Sequence, residues 1–335
     1  MLTYVLLGAF SIFICVFSRF FGHKFGLLDF PDGDRKTHDS AVPLLGGIAV
    51  TVPVIIMCGL CVFGMRHMPL YAVLGVVATM FLLVGMIDDS IQIRPLYRLF
   101  ISTIIFLSAV LVVPALGVDF LLFSFYPNLI TPDTWFVMIF TMFCLVGVQN
   151  ATNMADGKNG LVIGLSLIWT TLLFVYGPFH LQPLLIVLSV GLVLTLIFNL
   201  TGRLFLGDSG SYSISACIGL LTVYSYGIGF SEMRADVVAL WFLIPIVDCL
   251  RLMGERLYKG RSPFRSDQNH LHHILTHWMP WRWGLLVYLS LVAVPSGLSI
   301  LMPEWVAAWA AVVLVVYLSI VILGKRRFVR EIGKV

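Results

Sequence analysis

Two adjacent carboxylates, Asp88 and Asp89, close an apolar run and stand before Ser-Ile-Gln-Ile-Arg-Pro, residues 90–95. Like charges that close repel and need a cation, either a divalent metal or the nearby Arg94 and Arg98. A solvated acidic helix end paired with Arg94 is the plain alternative. Asn150, Asn153 and Asp156 follow one another at intervals of three, so on a helix they share a face. Oxygen donors of this kind suit Mg²⁺, although Asn and Gly also make ordinary turns. Asp208 and Ser209 sit between Gly207 and Gly210 just before another apolar run. Both are good helix caps, and a helix N-terminus there could also face a phosphate. His270, His272 and His273 lie within four residues, in a chain with 8 histidines in all. No nearby Cys or Glu completes a zinc site, so imidazoles that bind a diphosphate or nucleotide fit better than a metal. Asp34-Arg-Lys36-Thr-His38 supplies cations that could grip a phosphate. Asp248 lies within an apolar run, where a carboxylate is costly and a functional candidate by default. Arg251, at helical spacing, is its plain partner.

These groups need positioning elements, and composition says which. Of 335 residues, 59% are hydrophobic and 11% charged. A soluble domain carries about 25% charged residues, too many for this chain to be one. Eleven apolar runs near bilayer-spanning length cover about 1–20, 43–64, 69–87, 97–117, 134–149, 160–177, 181–199, 210–230, 236–252, 283–302 and 304–324. The expected fold is all-α: a polytopic integral membrane protein of about 11 transmembrane helices, a single domain over 1–335. Residues 1–20 lack a basic start and a small-residue cleavage site, so they read as the first span rather than a signal peptide. The six cysteines all fall inside apolar runs and read as small hydrophobes.

Lys and Arg set the orientation. With the N-terminus periplasmic and the C-terminus cytoplasmic, all 21 Lys and Arg except Arg66 and Arg234 lie on the inner side. The Asp, Asn and His motifs share that side, in loops at about 22–42, 88–98, 150–160, 200–210 and 253–282. A transporter would spread polar residues deep into several spans and along both faces. A membrane scaffold would not cluster them at all.

GDRKTH with PLLGG, IDDSIQIRPLYR, NATNMADGKNGL, FLGDSGS and SPFRSDQNHLHH occur in this order over residues 34–273. As an ordered set they resemble the polyprenyl-phosphate N-acetylhexosamine-1-phosphate transferases, a glycosyltransferase 4 type family. Within it the chain looks most like bacterial enzymes that place GlcNAc-1-phosphate on undecaprenyl phosphate. It is unlike the muramoyl-pentapeptide branch, which has lysines after the Asp pair where this chain has Gln92, Arg94 and Arg98. It also carries Arg265-Ser266-Asp267 where the family usually reads close to Ser-Pro-Asp.

The resemblance implies an Mg²⁺ enzyme, with Mn²⁺ able to substitute, in the bacterial inner membrane with its site facing the cytoplasm. UDP-GlcNAc and undecaprenyl phosphate would be substrates. Membrane lipid would surround the chain, no nucleic acid is involved, and a homodimer is left open. Asp208 would be the main metal ligand with Asn153 beside it. Asp88 and Asp89 would lie near the lipid phosphate or a second metal position, and Asp156 beside the metal. His270, His272 and His273 would hold the diphosphate. Lys36, His38 and Arg98 would position the two anions, and Asn150 and Asn159 would line the nucleotide-sugar pocket.

Overall fold

The computed structural model describes residues 1–31, 40–64, 68–228, 233–264 and 268–332, with side chains up to residue 324. Thirteen α-helices follow in chain order among these residues: α1 (Leu2–Val16), α2 (Ser18–Phe25), α3 (Gly46–Gly64), α4 (Met68–Ile91), α5 (Pro95–Val112), α6 (Thr134–Ala155), α7 (Leu161–Tyr176), α8 (Gln182–Leu200), α9 (Gly207–Ile228), α10 (Ala235–Tyr258), α11 (Leu271–Trp278), α12 (Trp281–Leu301) and α13 (Val306–Ile332). Two antiparallel pairs accompany them, β1 (Leu28–Asp29) with β2 (Val42–Pro43) and β3 (Leu121–Phe123) with β4 (Tyr126–Ile130).

Every apolar run is helical, so the class is all-α with two small hairpins. The span count is where sequence and structure part. Among the described residues eight helices are long and apolar enough to cross a membrane, or nine if the bent pair α1–α2 is one span, against the eleven expected. The helix α7, at 16 residues, is short of spanning length. The helix α9 is long enough but rich in Ser, Gly and Tyr. The physical reason is that α9 faces protein rather than lipid: every residue from Ser209 to Tyr226 is buried. Small residues let neighbouring helix backbones approach closely, and their hydroxyls turn back onto their own helix. Ser213 Oγ donates to Ser209 O at 2.6 Å and Thr222 Oγ1 to Ile218 O at 2.7 Å.

The chain divides into two compact units, Met1–Asp119 with Pro132–Gly229, and Phe120–Thr131 with Phe230–Val335. In the first unit α9 runs through the middle, packed by α3, α4, α6 and α7. Glycines set the closest approaches. A Cβ on Gly47 of α3 would fall 2.3 Å from Gly210 N, and one on Gly85 of α4 would fall 2.3 Å from Ser209 Cα. Backbone thus meets backbone on two sides of the α9 N-terminus. A short ladder fixes that end: Phe205 N donates to Pro43 O at 2.9 Å, and Gly46 N to Phe205 O at 3.0 Å.

In the second unit α10 packs on α12 and α13, and α11 lies against α12 and α13. The Phe-rich segment 118–132, featureless in sequence, forms the β3–β4 hairpin. Asp236 at the start of α10 accepts from Ser124 N and Ser124 Oγ, both at 3.1 Å, and holds it.

Candidate active site

The motifs expected in loops turn out to be helix ends. The helix α4 runs past Asp88 and Asp89 to Ile91, α6 contains Asn150 and Asn153 and stops at Ala155, and Gly207 opens α9. Hydropathy falls at these ends, but the backbone stays helical, and Asp88, Asp89 and Asn153 bond across to neighbouring helices.

Asp88 is buried at 3% exposure. Its Oδ2 accepts from Tyr212 OH at 2.6 Å and from Arg98 Nη1 at 2.9 Å, and its Oδ1 accepts from Ile93 N at 2.6 Å. Arg98 Nη1 also donates to Tyr212 OH at 2.7 Å. Asp88 therefore ties α4, α5 and α9 together, and Arg98 compensates its charge. Asp89 does a different job. Its two oxygens accept from Asp208 N at 2.8 Å and Ser209 N at 3.1 Å. It caps α9 from outside that helix, satisfying two donors that a helix start leaves open. Gly207 makes the turn before them at φ 75°, the left-handed region where a side chain is disfavoured.

Asn153 reaches α9 as well. Its Oδ1 accepts from Ser211 Oγ at 2.7 Å, and its Nδ2 donates to Tyr212 OH at 3.4 Å. Ser211 lies one turn beyond Asp208, so Asn153 and Asp208 stand on the same side of α9. Asp208 is half-buried, and among the described residues no hydrogen bond reaches its carboxylate. It shares its field with Asp89, Asp88 and Asp156, and with Arg98 of opposite sign. Among the described residues four acidic side chains face one guanidinium here, an excess that a divalent cation would offset.

Asp156 follows α6 directly, with its N–H on Asn153 O at 3.1 Å. Burial, and then the charge of Asp89, pushes its carboxyl up to about 7. An unfolded Asp titrates near about 3.9, so the folded chain resists this ionisation. The stability it contributes is complete below about pH 4 and is lost as pH rises through about 7. The thermal midpoint of the purified protein without divalent metal should fall over that window. Asp156→Asn, which cannot ionise, should flatten this limb; an unchanged slope would contradict the assignment.

Of the remaining predicted residues, Asn150 turns its Nδ2 back to Val146 O at 2.8 Å on its own helix. Asn159 sits against the turn at Gly202, where an added Cβ would be 3.8 Å from its Nδ2. Lys36 and His38 lie outside the described residues.

The histidines form a cluster in the second unit, organised by Asp248. This carboxylate is 3% exposed and accepts from Arg251 Nη2 at 2.8 Å, Tyr317 OH at 2.9 Å and Leu271 N at 3.2 Å. It also pairs with His270 Nδ1 at 2.9 Å. It is more than a partner for Arg251: it caps α11 and orients His270. The ring of His272 stacks on His270 at 5.3 Å and meets His273 at 4.3 Å, so the three imidazoles form one column.

Tyr212, Ser211 and Asn199 were not singled out from sequence. Tyr212 lies four residues after Asp208, so helical spacing alone puts both on one face. Asn199 is buried and pins the loop after α6. Its Oδ1 accepts from Gly160 N at 2.6 Å, and its Nδ2 donates to Leu204 O at 2.9 Å.

Helical bundles whose Asp and Asn side chains gather at helix ends define a polytopic membrane protein with an acidic site. Sequence comparison then gives the family. The description glycosyl transferase family 4 matches residues 70–226, which take in Asp88, Asn153, Asp156 and Asp208. An undecaprenyl-phosphate alpha-N-acetylglucosaminyl 1-phosphate transferase of Yersinia pestis is 31% identical over 287 residues, 82% of this chain and 75% of that one. The Salmonella typhi protein of the same name is 29% identical, with 84% of this chain and 80% of that one covered. A probable undecaprenyl-phosphate N-acetylglucosaminyl 1-phosphate transferase of Bacillus subtilis is 25% identical, with 89% and 84% covered. This chain belongs to glycosyl transferase family 4.

Proposed function

We propose that this chain transfers GlcNAc-1-phosphate from UDP-GlcNAc to undecaprenyl phosphate, releasing UMP and leaving undecaprenyl-diphospho-GlcNAc. This would be the first membrane step of a cell-surface polysaccharide, at the cytoplasmic face of the inner membrane. Three relatives with matching names support the donor and acceptor. The charge asymmetry of the loops supports the face. The observation that carries the chemistry is the Asp208 carboxylate beside Asn153, unbonded among the described residues, at a helix start where Asp89 takes the N–H groups of Asp208 and Ser209.

The donor set fits Mg²⁺, with Mn²⁺ as a substitute. Among the described residues no three His, Cys, Asp or Glu side chains form a metal-holding group. Mg²⁺ does not require one, since it commonly takes one or two carboxylates and completes its shell with water and substrate phosphates. Asp208 and Asn153 would hold it, and it would supply neutralisation of the diphosphate charge.

The chain's own residues do the rest. The reaction brings two anions together, so electrostatics and positioning dominate. An oxygen of the lipid phosphate bonds to the sugar-bearing phosphorus, and the bond from that phosphorus to the UMP oxygen breaks. A phosphate monoester has its second pKa near about 6 and is largely dianionic at pH 7. It therefore needs no general base. Asp88, saturated by Arg98, Tyr212 and Ile93 N–H, acts as a positioning residue for Arg98 rather than as a proton acceptor. Asp89 holds Asp208 in place through the α9 backbone. Ser211 and Tyr212 fix the Asn153 amide, so that its oxygen keeps one lone pair for a cation.

Donor labelled separately in the sugar and in the β-phosphate tests the reaction type. Both labels should pass together into the lipid fraction, with UMP in the aqueous phase. Sugar label alone in the lipid, with UDP released, would replace this reading with plain glycosyl transfer.

A further inference from the structure

The helix α1 does not run straight on into α2: the two meet at Phe17 with a bend of 69°. If α1 crosses the bilayer, α2 runs closer to the membrane plane than to its normal. At 100° per residue most residues of α2 sort onto distinct edges, and Phe21 turns back to pack on the core beside Ile14 and Cys15. Ser18 and Gly22 face the protein and are buried. Arg19 and His23 share one outer edge. Phe17, Phe20 and Lys24 share another, and Phe25, at the end of the helix, lies about 100° round from Lys24 toward Ser18. Phe17, Phe20 and Phe25 are 48%, 61% and 60% exposed, and Lys24 Nζ lies 6.0 Å from the Phe25 ring.

This helix is firmly seated. A Cβ on Gly22 would lie 3.0 Å from Leu28 Cδ2 and 3.1 Å from Pro43 Cβ. Gly26 ends it in the left-handed region, and Leu27 N donates to Gly22 O at 3.0 Å. The same Pro43 accepts from Phe205 N, three residues before Asp208. So α2 lies at the Asp208 end of the first unit.

We propose that α2 is an interfacial helix bound to an anionic lipid surface, with its phenylalanines among the acyl chains and Arg19 and Lys24 on headgroup phosphates. Three exposed Phe side chains call for an apolar cover. A protein partner is a poor cover, because it would bury Lys24 among them without a counter-charge. A lipid interface accepts this lysine, which can snorkel to the headgroups. The seating of α2 would then hold the Asp208 cluster at the level of lipid phosphates. The proposal does not depend on the transferase reading.

Spin labels test it in the full chain. Single cysteines would replace Phe17, Arg19, Phe20, His23, Lys24 and Phe25 in turn, with Cys144 changed to Ser because the other native thiols are buried. In phosphatidylcholine–phosphatidylglycerol vesicles, label depth would be measured from collisions with oxygen and with a water-soluble nickel chelate. Depth should oscillate with the helical period and without drift. Labels at Phe17 and Phe20 should lie about 5–10 Å below the headgroups, and those at Arg19 and His23 should meet nickel. A steady change approaching about 1.5 Å per residue would make α2 a continuation of the span and overturn the proposal. Nickel access at every position would overturn it as well. The Phe20 label should sit shallower in pure phosphatidylcholine, and Arg19→Gln with Lys24→Gln should remove that difference. Equal depth in both lipids with the native charges would overturn the anionic part.

Discussion

Gly85→Ala is expected to lower sugar-phosphate transfer by about 100-fold or more. The added methyl carbon would sit 2.3 Å from Ser209 Cα, 2.4 Å from Ser209 N and 2.5 Å from Asp208 O. All three are backbone atoms, so no side chain can swing away and helix must move from helix. Overpacking of this kind costs about 1–3 kcal/mol or more in stability. The larger effect falls on geometry, because the displaced segment carries Asp208 and the two N–H groups that Asp89 holds. A shift of about 1 Å at a reacting centre can cost about 100-fold in rate. Gly47→Ala, which would press on Gly210 N at 2.3 Å, should behave alike. Gly59→Ala is the control: on α3, with nothing within 4 Å of its added carbon, it should leave transfer unchanged. Wild-type rates in the Gly85 variant would show that the α9 N-terminus does not need this contact.

Asp248→Ala should destabilise the second unit by about 3–5 kcal/mol, the range for breaking a buried ion pair by removing one partner. Arg251 would keep Tyr317, Glu255 and Asn269 O but lose its buried counter-charge. His270 would lose the acceptor that orients it, and Leu271 N its cap. Asp248→Asn keeps an acceptor without the charge and should fall between the two. Thermal unfolding in detergent, with proteolysis of the segment between α10 and α11, measures both. Unchanged stability in the alanine variant would contradict the anchoring role.

The apolar runs were legible because a bilayer-length stretch of hydrophobic residues is a strong signal. The ends of those runs were not. The segments 88–98, 150–160 and 200–210 read as loops, yet Asp88, Asn153 and Asp208 are all within helices: Asp88 and Asn153 bond across to other helices, and Asp89 holds the Asp208 backbone N–H. The run 210–230 read as a span, whereas α9 is walled in by protein: Ser213 bonds Thr51, and Tyr212 bonds Asp88 and Arg98. The Asp, Asn and His motifs were visible as residue types. Their division of labour was not: the saturated Asp88, the capping Asp89 and the open Asp208 differ only in tertiary bonding. Asp248 had an obvious neighbour in Arg251, but its bonds to His270 and Tyr317 cross 22 and 69 residues. The 121–130 hairpin was hidden because its strands, Leu121–Phe123 and Tyr126–Ile130, do not alternate apolar with polar residues.

The most direct measurement incubates purified wild type and Asp208→Ala with Mg²⁺, undecaprenyl phosphate and radiolabelled UDP-GlcNAc, with and without chelator, and follows label into the organic phase. Wild type should transfer label, and both the chelator and the Asp208 substitution should abolish it. Transfer undiminished in Asp208→Ala would remove the metal role of that carboxylate. No transfer by well-folded wild type, with this or any other UDP-N-acetylhexosamine, would contradict the proposed reaction itself.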